Sequence, residues 1–207
     1  MRDARPLIDD FFKSTDYEKL SRGVCAGFEA CYNLMKSTPA LSNFQTGIPQ
    51  WSHLIRSYVE YGIANSGISD MTYEFLPNAA RNFWHVRFHK ARVAWTAHFV
   101  GGGENKRAIA RKAIYKAELT SRTSDMFEAE NSIPDIDSKF GYFQVLHAGY
   151  QKTPESITLA IPSRDQSSIV AATPLPIINP GKVEVEEVEE AMHIQLLDIA
   201  QSIEDAG

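Results

Sequence analysis

Apolar side chains recur at helical spacing through the first third of the chain. Leu20, Val24, Phe28, Cys31 and Met35 fall on one stripe, and Thr15 followed by Glu18 has the form of a capping box. Pro49 suits the first turn of a second helix, which would bury Trp51, Leu54, Ile55 and Tyr58. Residues 4–66 therefore read as helical scaffold. The polar run from Ala64 to Asp70, with Gly67 inside it, breaks this pattern before a strand near Met71 to Leu76.

From Asn82 the period falls to two. Trp84, Val86 and Phe88 take one face, and His85, Arg87 and His89 the other; Val93, Trp95, Ala97 and Phe99 form a second alternating set. The phase slips between the sets. A hairpin turning at Lys90 and Ala91 would pair Phe88 with Val93, Val86 with Trp95 and Trp84 with Ala97. Lys-Ala lacks residues that accept positive φ cheaply, so a single long strand bulged near residue 90 is the competing arrangement.

Gly101, Gly102 and Gly103 close this strand. Glu104 to Glu118 then predicts an amphipathic helix with Ile109, Ala110, Ala113, Ile114 and Ala117 inward and Arg107, Arg111, Lys112 and Lys116 outward. Residues 121–139 read as an irregular loop, and strands follow at Phe140 to His147, Ser156 to Ile161 and Ser167 to Ala172. The fold class is α+β: N-terminal helices packed on a mostly antiparallel sheet, with a basic crossover helix and an acidic C-terminal helix. Residues 1–172 form the single domain and 173–182, with Pro174, Pro176 and Pro180, a connector. In 183–207 the residues Val185, Val188, Met192, Leu196, Ile199 and Ile203 make a narrow seam for protein contact, expected either to dock on the body of its own chain or to pair with another helix in a homodimer.

Charge is segregated along this frame. Residues 81–125 hold ten Lys or Arg against three Asp or Glu, whereas 126–207 hold four against fourteen. A basic middle and an acidic end predict an anionic partner, or a chain that neutralises itself. The residues assigned to anion contact are Arg87, Lys90, Arg92, Arg107, Arg111, Lys112 and Lys116, and the partner is nucleic acid or an acidic protein.

Other chemistry finds little purchase. The Gly101 to Arg107 stretch does not supply the Gly-x-x-x-x-Gly-Lys followed by Ser or Thr of a phosphate-binding loop, and no hydrolase elbow, zinc helix, Cys-x-x-Cys or dinucleotide turn is present. Cys25 and Cys31 have neither disulfide nor metal spacing. His85, His89 and His98 read as surface histidines because Arg87 would repel a cation between them, so no metal and no cofactor are expected. Pro134 and Asp135 resemble the opening of a metal-dependent nuclease motif, but no carboxylate-x-Lys follows on the next strand. No apolar run spans a bilayer and no signal core opens the chain, which predicts a cytoplasmic protein without a membrane partner. The reading is a non-catalytic binding or regulatory protein. Its alternatives are a nuclease with a divergent site and a protein antagonist whose acidic tail imitates nucleic acid.

Overall fold

The computed structural model describes residues 3–5, 9, 12–42, 47–77, 84–111, 116, 119–120 and 141–178. Its architecture is α+β, with two long N-terminal helices packed on one face of a six-stranded mixed sheet. The first helix, α1 (Ser14–Ser37), buries Leu20, Val24, Phe28 and Cys31 as the periodicity predicts. It begins one residue before Thr15. The backbone N–H of Lys13 donates to the Asp16 carboxylate at 2.9 Å, so Asp16 rather than Glu18 supports the first turn. A single turn, α2 (Pro39–Ser42), precedes α3 (Gly47–Ala64), which buries Trp51, Ile55 and Tyr58.

The two long helices touch through backbone. A Cβ added at Gly23 would lie 2.6 Å from the carbonyl oxygen of Gly62, and one at Gly27 would lie 2.6 Å from that of Tyr58. Side chains are thus excluded from the crossing.

The strands are β1 (Thr72–Pro77), β2 (Trp84–Lys90), β3 (Val93–Phe99), β4 (Gly141–Ala148), β5 (Ser156–Pro162) and β6 (Ile169–Leu175), and they lie in sequence order across the sheet. Every neighbouring pair is antiparallel except β3 and β4, which run parallel at the centre. A parallel pair needs a long crossover, here the chain between Phe99 and Gly141. Within it Gly103–Asn105 form one 3-10 turn, and Lys106 to Arg111 run through bends and irregular backbone, so the helix predicted from Glu104 does not start there. Lys116, Leu119 and Thr120 are helical.

The hairpin differs from the predicted one by two residues. Its turn is Ala91–Arg92 and its register is Phe88↔Trp95, His89↔Ala94 and Lys90↔Val93. Because the shift is even, each side chain keeps its face. Val86, Phe88, Trp95, Ala97, Phe143, Val145, Ile157 and Leu159 join the helices in the main core. Trp84 shares that face but is exposed. On the opposite face Ala110 packs with Leu146, Ala148 and Ala160, and Leu119 with Ala94 and Tyr142. Covered on both sides, β4 is buried along its whole length.

The pairing of β6 continues to Leu175, into the proline-rich stretch. Pro174 is tolerated because β6 is an edge strand. The seam residues of 183–207, Asp135 and Lys112 lie outside the described residues. Among the described residues, no helix is long and apolar enough to cross a membrane.

Candidate functional site

The sheet forks between β2 and β3. Their ladder covers only the three residue pairs next to the turn, whereas β1 pairs with β2 and β3 with β4 along their full lengths. The β2 backbone that faces this gap still needs partners. Helix α3 supplies them: the Arg56 guanidinium donates to the Trp84 carbonyl at 3.4 Å, and the Val86 N–H donates to the Glu60 carboxylate. Arg56 and Glu60 are themselves joined at 3.0 Å, one helical turn apart. Burial raises the pKa of Glu60, and the neighbouring Arg56 opposes that rise.

A buried polar row continues from the fork across the face turned toward the crossover. His98 and Thr96 of β3 share a hydrogen bond of 2.6 Å, Thr96 and the Tyr142 hydroxyl of β4 share one of 2.7 Å, and the Gln144 amide donates to Tyr142 at 3.4 Å. His85 of β2 is buried on the same face. The two histidines are therefore interior groups and not surface ones. Burial is the main reason that His98 titrates well below the usual histidine value and His85 at about 4; the positive charges of Lys116 and Arg56 add to both shifts.

Lys116 of the crossover is only 2% exposed and donates to the Arg111 carbonyl. Its pKa is lowered to about 8, first by burial and then by Arg56 and Arg107. Arg107 is anchored at the carboxyl end of β3, where Nη2 donates to the Phe99 carbonyl at 2.9 Å. Its buried Nη1 has no hydrogen-bond partner. Arg111 is exposed beside it, and burial together with Arg111 lowers the pKa of Arg107.

Three of the seven cations expected to meet an anion are thus gathered here: Arg107, Arg111 and Lys116. Lys112 lies outside the described residues, and the remaining three are placed elsewhere. Arg87 pairs with Glu74 at 2.6 Å, Lys90 is buried against Asp16 at 2.6 Å, and Arg92 is exposed at the hairpin turn, the end away from the fork. The glycine triplet also has an anion of its own, since the Gly103 N–H donates to the Glu155 carboxylate at 2.9 Å.

Arg56, Glu60, His85, Thr96, His98 and Tyr142 escaped the sequence reading of the site. The usable signal was a charged pair at i, i+4 in an apolar helix, with polar residues alternating on two strands predicted to pair. A separate cavity of about 500 Å³ opens between the start of α1 and β6, but Arg5 and Lys13 share its lining with Asp9 and Glu18, so no single charge sign dominates it. Among the described residues, no group of three or more His, Cys, Asp or Glu is placed to hold a metal ion. Comparison with protein families, with curated proteins and with solved structures finds no match for this chain.

Proposed function

We propose that this is a non-catalytic binding or regulatory protein that holds an anionic partner, nucleic acid or an acidic protein, at the cationic side of the fork. The observation supporting this reading is the convergence of Arg56, Arg107 and Lys116, close enough that the two arginines help lower the pKa of the lysine. Arg107 adds a buried guanidinium nitrogen in need of an acceptor. In this reading Arg107 and Arg111 touch the partner, and Lys116 reinforces the field from beneath.

Binding of a fluorescent oligonucleotide and of polyglutamate, followed by anisotropy across a salt series, tests the proposal. Changing Arg107 and Arg111 together to Gln should reduce the slope of log affinity against log salt by about 1.5 to 2 units for nucleic acid. Affinity should also fall as pH rises through about 8, because an anion favours the protonated Lys116 that deprotonation removes. Failure of both probes to bind at low salt would refute the reading.

A further inference from the structure

One edge of the sheet carries a half-exposed aromatic strip, touching the core only where the Tyr73 ring meets Phe88 at 6.2 Å. Tyr73 and Phe75 of β1 and Trp84 of β2 are 43%, 47% and 49% exposed. The register places them on one face, since Tyr73 lies opposite Phe88, Phe75 opposite Val86 and Pro77 opposite Trp84. The rings of Tyr73 and Phe75 meet at 5.9 Å and 90°, so their flat faces point in different directions. The strip borders the fork from the helix-bearing face of the sheet, because the carbonyl of Trp84 accepts from Arg56, whose charge reaches through the gap to Lys116 and His85 on the other face.

We propose that Tyr73, Phe75 and Trp84 form a stacking platform for the bases of a single-stranded nucleic acid whose phosphates are drawn to the cations of the fork. The inference rests on the anion-binding reading and names the partner. Area argues against a second copy of the chain as the occupant: the three rings leave roughly 300 Å² exposed, whereas a stable protein interface takes about 800 Å² from each partner. Charge argues against an acidic peptide as the main occupant, because carboxylates would answer the cations and leave three rings in water. A duplex keeps its base faces stacked inside. A single strand can splay its bases toward rings of different orientation and bring a phosphate for each base, which meets both halves of the surface.

The test uses the full chain and labelled twelve-residue oligothymidylate and oligouridylate, with a duplex of equal length and polyglutamate alongside. Replacing Tyr73, Phe75 and Trp84 together by Ser should weaken single-strand binding by at least about tenfold and leave the salt slope unchanged. Trp84→Phe should keep most of the affinity. Since Trp51 and Trp95 are buried, quenching of intrinsic fluorescence on binding reports Trp84. Loss with one sugar type only would identify DNA or RNA as the partner. Undiminished single-strand binding by the triple variant would overturn the platform while leaving the anion site intact, and so would equal losses for duplex and polyglutamate. A concentration-dependent dimer abolished by the triple variant, with oligonucleotide affinity unchanged, would assign the strip to a second copy. If no polyanion binds, both the platform and the reading beneath it fall.

Discussion

Ala91 has φ of 51°, a left-handed conformation that costs a residue with a Cβ about 1 to 2 kcal/mol. It is tolerated because the flanking residues are fixed: Lys90 is held by Asp16, and Val93 and Trp95 sit in the sheet. Glycine has no such penalty but loses more chain entropy on folding, which offsets part of the gain. Ala91→Gly is therefore expected to stabilise the protein by about 0.5 to 1 kcal/mol, raising Tm by roughly 1 to 4 °C in a thermal melt. A lower Tm would mean that the turn relaxes without strain.

At the scale of elements, the contact between α1 and α3 is the least forgiving. A methyl group at Gly62 would run into the carbonyl of Gly23, and neither partner can swing aside because both are backbone. Gly62→Ala should thus cost about 1 to 3 kcal/mol or more, read as a lower urea midpoint with an unchanged denaturant slope. An unaltered midpoint would show that the helices can separate at no cost. Helical periodicity revealed the buried stripes of α1 and α3 but not this crossing, since a glycine in a helix carries no pattern until its neighbour is known. The strands were legible wherever one face is polar, as at β2. At β4 the strand was legible to within one residue, but alternation did not reveal that burial on both sides takes Tyr142, Gln144 and His147 into the interior. The crossover was misread because amphipathic spacing from Glu104 to Glu118 describes a helix equally well whether or not its first turns form. The candidate site was legible only in some of its cations. The fork that organises them depends on where a ladder stops, and alternation alone cannot give that.

Acid sensitivity belongs to the whole molecule. His147 is fully buried between Phe28 and Phe99 with both ring nitrogens unpartnered, and burial lowers its pKa to about 3. His85 and His98 are depressed as well. These groups stay neutral in the folded chain and take up protons near pH 6.5 once unfolded. The stability they support is complete above about pH 6.5 and is lost as pH falls toward their folded values. Asp16, held below its usual value by Lys90 and the Lys13 N–H, adds to the loss further into acid, whereas Glu60, shifted upward, works against it. Tm should accordingly fall between pH 6.5 and 4, and His147→Phe should flatten part of that fall. A Tm independent of pH over this range would contradict the burial of the histidines.

The lone parallel pair at the centre of the sheet also has a kinetic consequence. Each antiparallel half, β1 to β3 and β4 to β6, is a meander whose strands meet across short connections. The first contact joining them, Val93 to Gly141, spans 48 positions. Closing so long a loop costs roughly 3 kcal/mol in chain entropy before any seam contact repays it. The halves can therefore order locally while the seam waits, and zipping β3 onto β4 becomes the event that commits the chain to its native state.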